Sequence, residues 1–351
     1  MIKKLVYRII KKNKRLRRYI IELEDTISAN RKIGIGNINE NSIAYDNSIF
    51  NSKSTYTGYS IDYLNSRMLS KKERECELKQ IFYKNCGYYL DLDNPQSFNQ
   101  KLQWLKMNYY NKEESRCVDK YEFKKYIAEK IGEEYAVPLY QVWDNESKVD
   151  FDDLPNKFVL KSNLQSDSRH IIVVNDKKNV DMDKLKTVLA TWLSPKNTLL
   201  NSYCCAYRDI KPVIIAEKYI EFFDSELIDY KFMCFNGKVE LLFVVANRKT
   251  GMGVNFYDLD WNLLPFTRKY PNTVYPIKKP KNFDRMIEIA EKLSQPFPFV
   301  RVDFYESEDG NNLYVGELTF YPGGGYEPFQ PIDYDYKLGE KLKLPSANIF
   351  D

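Results

Sequence analysis

Two acidic residues, Asp303 and Glu317, fall on neighbouring strands of a predicted β-hairpin. The runs 300–305 and 313–320 are rich in β-branched and aromatic residues, and they flank a polar stretch that contains Gly310. If the turn is centred on this glycine, the two carboxylates face each other across the ladder. Facing carboxylates repel each other unless a cation or a shared proton lies between them. The spacing therefore predicts a divalent-metal site, and a solvated acidic edge is the alternative.

In the same register, Arg301 faces Thr319 beside the acidic pair. A hard divalent ion with oxygen ligands is the natural occupant of such a pair. Mg²⁺ typically keeps one or two protein carboxylates and takes its remaining ligands from water and phosphate. The pair therefore suits Mg²⁺ bound together with a phosphate.

The dipeptide Asn236-Gly237 marks an earlier hairpin between the runs 229–235 and 238–245. Asparagine and glycine tolerate the positive φ values that both central residues of a type I′ turn require. Side chains alternate along a strand, so Asp229 and Lys231 share one face. These two residues form either an exposed ion pair or part of a binding site.

Two basic residues, Lys161 and Arg248, follow or end predicted strands. Lys161 ends the strand 157–161 and could act as a point charge on a phosphate, with a solvent-facing lysine as the alternative. The polar segment 162–169 that follows contains no glycine, so it is not predicted to cradle phosphates. Arg248 lies just beyond the Asn-Gly hairpin and could point into the same space as Lys231.

The glycine run 323–325 allows close backbone approach to a ligand, although a plain loop is equally compatible with it. One histidine, His170, and six cysteines without C-x-x-C spacing provide no convincing zinc site. Because His170 would have to serve alone as the base, most schemes in which histidine activates a nucleophile are also excluded. The chemistry is therefore expected to use carboxylates, lysine and arginine.

The net charge of +4 conceals a basic amino-terminal segment. Nine of the 53 Lys/Arg residues lie in positions 1–20, which leaves 44 basic against 49 acidic residues, or −5, for the remainder. A mildly acidic body argues against nucleic-acid binding. Residues 1–25 have the spacing of a basic amphipathic helix, which lies either on an anionic membrane surface or in solvent. With no secretory signal and no apolar run long enough to span a membrane, we expect a cytoplasmic protein, held by this helix at the inner face of the membrane.

The remaining pattern predicts mixed helices and strands around these residues. Helices are predicted over 63–83, from Ser97, over 118–131 with Gly132 as its end, and over 182–193. Strands are predicted over 157–161, 171–174 and 213–220, after a short extended segment at 136–138.

Taken in order, short sequence blocks resemble the ATP-grasp superfamily, and more closely its TupA-like branch, which is associated with bacterial capsule and surface-polysaccharide genes. The resemblance covers about residues 90–340. The blocks include Asn94-Pro95-Gln96-Ser97-Phe98-Asn99, Ile131-Gly132-Glu133-Glu134-Tyr135, Asp229-Tyr230-Lys231-Phe232, Phe297-Pro298-Phe299-Val300-Arg301-Val302-Asp303 and Gly316-Glu317-Leu318-Thr319-Phe320. The chain departs from the branch at 162–170, where a glycine- and serine-rich segment with a histidine is expected.

The resemblance implies an α+β ATP-grasp fold, in which two α+β subdomains sandwich a nucleotide behind a basic N-terminal helix. The implied segments are the helix 1–25, a linker 26–60, an N-terminal helical subdomain 61–135, a central lid subdomain 136–220 and a C-terminal metal and catalytic subdomain 221–345.

The resemblance also implies ATP and Mg²⁺ as cofactors and assigns roles to residues of this chain. Nucleotide contacts are implied for Lys120, Lys161, Glu217, Ile220, Asp229 and Lys231. Metal ligation is implied for Asp303, Glu317 and Thr319, where threonine stands in place of the asparagine common in related ligases. Catalytic roles are implied for Arg301, which would stabilise the acyl-phosphate and the tetrahedral intermediate, and for Arg248, which would bind the acceptor carboxylate or the γ-phosphate.

The activity implied is that of a carboxylate–amine ligase, which phosphorylates a carboxylate with ATP and lets an amine attack the acyl-phosphate. Its expected partners are a glycan or sugar nucleotide that contains a uronic acid, and an amino acid or amino sugar as the amine. Two alternatives stay open. One is a catalytically degenerate scaffold in capsule biosynthesis, and the other is a glycosyl- or phosphotransferase of the same pathway.

Overall fold

The computed structural model of the protein describes residues 43–44, 71–164, 170–193, 205–207, 210–220, 228–246, 252–274 and 276–348. The predicted helix over residues 1–25, most of the predicted linker and Arg248 lie outside these residues. The described part contains seven α-helices, two five-stranded sheets and one two-stranded sheet. Within these ranges, no helix has both the length and the apolar character needed to cross a membrane.

The helices are α1 (Lys71–Cys86), α2 (Phe98–Asn108), α3 (Lys112–Val118), α4 (Lys120–Ile131), α5 (Met182–Trp192), α6 (Phe283–Ser294) and α7 (Asp333–Lys341). Helix α2 begins where the sequence predicts, because Ser97 and Gln100 form a capping box. The Ser97 side chain accepts a hydrogen bond from the Gln100 backbone, and the Gln100 side chain accepts one from the Ser97 backbone. The start of α2 is thus fixed by four consecutive residues.

The helix predicted over 118–131 is wrong at its start. Asp119 has an extended backbone and separates α3 from α4, with φ −76° and ψ 109°. Its side chain accepts a hydrogen bond from the backbone N–H of Tyr121 at 2.9 Å, so it caps α4 instead of continuing a single helix. The predicted end at Gly132 is confirmed, with φ at 114°.

The smaller sheet has the strand order β1-β4-β3-β5-β2, and all neighbours are antiparallel. Its strands are β1 (Ile43–Ala44), β2 (Leu139–Trp143), β3 (Phe158–Ser162), β4 (Ile171–Val174) and β5 (Ile214–Lys218). Strand β2 continues the predicted extended segment, but its edge position gives it no clean alternation of buried and exposed residues. Helix α5 packs on this sheet through Leu185, Leu189 and Trp192.

The larger sheet has the order β11-β10-β6-β7-β8, again entirely antiparallel. Its strands are β6 (Asp229–Phe235), β7 (Lys238–Ala246), β8 (Gly253–Tyr257), β10 (Phe299–Glu306) and β11 (Leu313–Thr319). The strands β9 (Thr267–Arg268) and β12 (Phe329–Gln330) form the two-stranded sheet. Asn236 and Gly237 have φ values of 49° and 82°, which confirms the predicted turn between β6 and β7.

Helices cover both faces of the larger sheet. Helices α4 and α6 bury one face, on which Phe232 and Val302 lie. Helices α2 and α7 pack on the other face against Met233 and Phe299. Because side chains alternate along a strand, Arg301 lies on this second face, two residues from Phe299. Arg301 therefore lies next to the buried apolar residues of this face.

The register of the β10–β11 hairpin depends on a bulge. Next to the turn, Tyr305 pairs with Tyr314 and Phe304 pairs with Val315, one residue away from the predicted register. The register then shifts, so that Asp303 pairs with Glu317 and Gly316 has no partner of its own. The predicted facing pair is confirmed, but a regular ladder from the turn would have placed Gly316 opposite Asp303.

The backbone of the glycine run lies close to helix α2, whereas the sequence suggested a close approach to a ligand. Gly323, Gly324 and Gly325 all have positive φ, between 60° and 68°. The Gln103 side chain donates hydrogen bonds to the carbonyl oxygens of Gly324 at 2.9 Å and Gly325 at 2.8 Å. A Cβ atom at Gly325 would lie 2.5 Å from the Gln103 amide nitrogen. Gly325 thus allows the loop to pack closely on the helix.

Candidate active site

Asp303 on β10 is enclosed and surrounded by cations. Its side chain is 1% exposed and accepts hydrogen bonds from Arg301, from Nε at 2.6 Å and from Nη2 at 2.7 Å. Lys231, opposite Asp303 on β6, forms a short ion pair with the same carboxylate. Burial by itself would raise the pKa of Asp303, but the charges and hydrogen bonds of Arg301 and Lys231 lower it. Asp303 is therefore ionised, with two cations bound to it.

Glu317 and Thr319 on β11 lie opposite Asp303 and Arg301, as the sequence predicts. Arg301 Nη2 donates to Thr319 Oγ1 at 2.9 Å and lies 3.9 Å from Glu317 Oε2. The Glu317 side chain is 39% exposed, so one side of this group opens to solvent. The cation that offsets the repulsion between the facing carboxylates is thus the Arg301 guanidinium.

Asp229 and Lys231 form a buried pair on the same face, which rules out the exposed surface pair considered from the sequence. Lys231 Nζ lies 3.7 Å from Asp229 Oδ2, and the two side chains are 11% and 1% exposed. Lys231 therefore lies between two carboxylates, Asp229 and Asp303. The site on the larger sheet thus places two acids, Glu317 and Asp303, opposite each other on β11 and β10, with Lys231 next to Asp303 on β6.

Glu217 on β5 is the centre of a second charged cluster. Lys161 on β3 forms a short ion pair with one carboxylate oxygen, and Lys124 on α4 lies 2.9 Å from the other. Burial alone would raise the pKa of Glu217, but the charges and hydrogen bonds of Lys124 and Lys161 lower it to about 2. Lys161 and Glu217, both predicted to contact nucleotide, are thus bound to each other.

Lys120, in the first turn of α4, lies between the two clusters. Burial lowers the pKa of Lys120. The negative charges of Glu317 and Glu217 raise this pKa in part, and the positive charge of Lys161 lowers it further. Lys120 and Glu317 both line a small concavity between the α3–α4 junction and β11. Lys120 is thus within electrostatic reach of the acidic pair on the larger sheet and of Lys161 on the smaller one.

The other predicted site residues are placed less directly. Ile220 is buried with Val137 and Tyr314, which connects the end of the smaller sheet to β11. Arg248 and most of the segment 162–170 lie outside the described residues. The ring of His170, just before β4, has its centroid 5.9 Å from that of Trp192.

Sequence reasoning missed Lys124, although its spacing from Lys120 was informative. Two lysines four residues apart lie on the same face of a helix. A nucleotide contact at Lys120 therefore predicts that Lys124 lies near the same site. Glu114 on α3 was also missed. It is buried, and its carboxylate accepts a hydrogen bond from the Tyr321 hydroxyl at 3.4 Å. No signal in the sequence distinguishes Glu114 from its neighbour Glu113.

Burial raises the pKa of Glu114 to about 8, and the Tyr321 hydrogen bond lowers it only in part. A carboxyl whose folded pKa is raised stabilises the fold fully at low pH and loses that contribution as pH rises toward 8. We expect the wild type to lose about 2 kcal/mol relative to Glu114→Gln between pH 6 and pH 7.5. Urea unfolding at both pH values measures this difference.

The control for this prediction is Glu113→Gln on the same helix, where the Glu113 side chain is 42% exposed. We expect this variant to follow the wild type at both pH values. Equal pH dependence of Glu114→Gln and the wild type would show that Glu114 is already ionised in the folded protein.

The donor set on β10 and β11 suits Mg²⁺. Asp303 and Glu317 supply two facing carboxylates, and Thr319 adds a hydroxyl oxygen on the same face. Among the residues that the structure describes, no group of three or more His, Cys, Asp or Glu side chains could hold a metal ion. Two carboxylates are nevertheless the number that Mg²⁺ commonly takes when phosphate oxygens complete its shell. The residues therefore fit a metal bound together with a phosphate ligand.

A smaller antiparallel sheet that carries Lys161, and a larger one that carries facing acids beside an arginine, are the two α+β units of an ATP-grasp protein. The chain belongs to the TupA-like ATP-grasp family, since the family model described as TupA-like ATPgrasp matches residues 100–343, more than half of its length. This finding confirms the family and the α+β ATP-grasp fold expected from the sequence. No match was found among curated proteins.

Solved structures similar to this chain include two D-alanine–D-alanine ligases. The enzyme from Bacillus anthracis is 19% identical, with a TM-score of 0.37, over 64% of this chain and 65% of that one. The enzyme from Helicobacter pylori is 17% identical, with a TM-score of 0.39, over 72% and 68%. An N5-carboxyaminoimidazole ribonucleotide synthetase with bound ADP is 15% identical, with a TM-score of 0.38, over 62% of this chain and 49% of that one.

Proposed function

We propose that this protein is an ATP- and Mg²⁺-dependent ligase that joins a carboxylate to an amine. The observation that carries the proposal is the facing pair Asp303 and Glu317, with Arg301 beside it and with Lys120 lining the same small concavity as Glu317. Acids that could hold a metal and lysines that could bind phosphates thus lie in one connected group. Family membership supports the same assignment.

In this proposal each charged group has a part in phosphoryl transfer. Asp303, Glu317 and Thr319 would hold Mg²⁺, which would offset negative charge on the phosphates of ATP. Lys120, Lys161 and Lys231 would bind the phosphates, and Glu217 and Asp229 would position these lysines. Arg301 would stabilise charge on the substrate as its carboxylate becomes a mixed anhydride with phosphate and then an amide. Such a reaction needs no protein nucleophile, in keeping with the residues available.

For the substrates, we propose a uronic acid on a bacterial surface glycan or sugar nucleotide, and an amino acid or amino sugar as the amine. This part rests only on the association of the TupA-like branch with polysaccharide genes. A screen of uronic acids and amines for ADP release tests it. Consumption of a nucleotide sugar instead would favour the glycosyltransferase alternative.

The proposed function is tested by the thermal unfolding temperature with ADP and Mg²⁺, separately and together. We expect both together to raise the unfolding temperature of the wild type, and Glu317→Gln to lose this rise. The matched control is Glu308→Gln in the turn of the same hairpin, which is exposed and should respond like the wild type. An absent response in the wild type would favour the degenerate scaffold, which is consistent with Asp303 being held by two cations.

Gly316→Ala is expected to lower the affinity for ADP with Mg²⁺ by at least about tenfold. A Cβ atom at Gly316 would lie 2.2 Å from Cε2 of the Tyr305 ring, so either this ring or the bulge must shift. We expect the bulge to shift and to move Glu317 away from Asp303. Titration calorimetry measures the affinity.

The control for this prediction is Gly87→Ala. Gly87 has a φ of 79° and no atom within 4 Å of an added Cβ. That variant should lose about 1 kcal/mol of stability with unchanged affinity for ADP. Unchanged affinity in Gly316→Ala would mean that the bulge does not position Glu317.

Membrane contact by residues 1–25 also stays a proposal, since these residues lie outside the described part. Deleting them and measuring sedimentation with vesicles that contain anionic lipid tests it. We expect the deletion to abolish binding to such vesicles, and equal binding of the two proteins would contradict it.

A further inference from the structure

The guanidinium of Arg301 lies where a divalent ion would have to bind both carboxylates of the facing pair. It donates two hydrogen bonds to Asp303 and lies 3.9 Å from Glu317 Oε2 across the ladder. Its Nη2 also donates to Thr319 Oγ1 at 2.9 Å. All three groups with metal-binding oxygens are thus contacted by one cationic side chain.

A further cation at Asp303 would lie close to the two cations already bound there. An ionised carboxylate has about four lone-pair sites, and those of Asp303 already receive Arg301 at two positions and Lys231 at a third. The side chain is 1% exposed, so water screens little of the repulsion between the cations around it. The charges of Arg301 and Lys231 therefore oppose a divalent ion at Asp303, and the ion binds more favourably if one of them moves away.

Lys231 and Arg301 differ in the acidic partner that each would keep if a divalent ion displaced it from Asp303. Lys231 has a second carboxylate, Asp229, at 3.7 Å. Arg301 has Glu317 as its other acid, and that residue would bind the incoming ion as well. Arg301 would then lose both carboxylates that it now contacts, and an arriving ligand with its own negative charge would replace them.

We infer that Arg301 and a divalent cation are alternative counter-ions of Asp303 and Glu317, so that the ion binds well only together with an anionic ligand that accepts Arg301. The inference rests on the proposed function, in which that ligand is a nucleotide. The five groups joined by these ion pairs are three carboxylates (Asp229, Asp303 and Glu317) and two cations (Lys231 and Arg301), with a net charge of −1. A divalent ion alone changes this to +1, whereas without Arg301 the net charge goes from −2 to 0. Removing Arg301 should therefore favour binding of the ion alone.

The test is the binding of Mn²⁺ to the full chain, followed by the loss of the free Mn²⁺ signal in electron paramagnetic resonance. Without nucleotide, we expect Arg301→Met to bind Mn²⁺ at least tenfold more tightly than the wild type, and Arg301→Lys to be intermediate. Adding Asp303→Asn to Arg301→Met should remove the gain. The matched control is Arg285→Met on α6, whose side chain is 48% exposed and which should behave like the wild type.

Equal Mn²⁺ affinity of the wild type and Arg301→Met without nucleotide would overturn the inference. If Arg301→Met does not fold, as judged by circular dichroism, the comparison is made with Arg301→Lys, where an unchanged affinity has the same meaning. A separate series with ADP tests the proposed function. One outcome would contradict only the inference. In it, ADP increases the Mn²⁺ affinity of the wild type, but without ADP the Arg301 variants bind Mn²⁺ no more tightly than the wild type does. Wild type that binds no Mn²⁺ with ADP would contradict the proposed function.

Discussion

Asp303→Asn is expected to abolish Mg²⁺-dependent binding of ADP and to destabilise the folded protein by about 3–5 kcal/mol. The buried carboxylate is the common partner of Arg301 and Lys231. With an amide in its place, each cation keeps only its more distant acid, Glu317 at 3.9 Å for Arg301 and Asp229 at 3.7 Å for Lys231. Removing one member of a buried ionic group is costly because the remaining charges stay desolvated. Urea unfolding measures the loss of stability, and titration calorimetry with ADP and Mg²⁺ measures the loss of binding.

The matched control for this experiment is Asp284→Asn in the first turn of α6. Asp284 is exposed, so its replacement should change stability by less than about 0.5 kcal/mol and leave ADP binding unchanged. Mg²⁺-dependent ADP binding that survives in Asp303→Asn would remove Asp303 from the proposed metal site. Unchanged stability would show that Arg301 and Lys231 find other partners.

Glu217→Gln is expected to cost about 3 kcal/mol of stability at pH 7. The fall in the pKa of Glu217 from 4.5 to about 2 corresponds to that amount, and it comes from Lys124 and Lys161 acting against the effect of burial. The variant should also bind ADP more weakly, because Lys161 loses the group that positions it. Urea unfolding and calorimetry measure the two effects.

The pH dependence of this effect has a definite sign. A carboxyl with a depressed folded pKa contributes stability that is present above its unfolded pKa and is lost as pH falls through the folded one. The stability difference between the wild type and Glu217→Gln should therefore be constant from pH 8 to about pH 5 and should narrow from about 4.5 toward 2. A difference that stays constant down to pH 3 would mean that Glu217 does not titrate in this range.

The control is Glu240→Gln on β7 of the larger sheet, which removes an ion pair with Lys341 at the end of α7. The Glu240 carboxylate lies 2.9 Å from Lys341 Nζ, but the two side chains are 30% and 54% exposed. Such a pair contributes about 0–1 kcal/mol. A loss at Glu240 as large as that at Glu217 would show that burial is not the reason for the larger effect.

Local signals in the sequence were sufficient for several elements. The Asn236-Gly237 turn forms because both residues accept positive φ, and no distant contact is needed to specify it. Ser97 and Gln100 fix the start of α2 by hydrogen bonds within one helical turn. The break before α4 is also local, since Asp119 caps the helix with its own side chain, but the apolar periodicity across 118–131 concealed it.

Partners that are distant in sequence could not be assigned in this way. Glu217 binds Lys124 from α4 and Lys161 from β3, and the sequence does not state which acid approaches which lysine. The glycine run likewise approaches Gln103 on α2, more than 200 positions earlier in the chain. In each case the contact depends on how whole elements pack.

Residue types and strand periodicity by themselves determined that Asp303, Arg301, Glu317 and Thr319 belong to one hairpin and are candidates for metal and phosphate chemistry. Only the tertiary structure decided that the acids face each other, because the bulge at Gly316 shifts the register where the Tyr305 ring packs against the glycine. It also decided that Arg301 and Lys231 hold Asp303. Alternation along a strand selects a face, but the counter-ion of a buried charge is selected by the neighbouring strands that surround it.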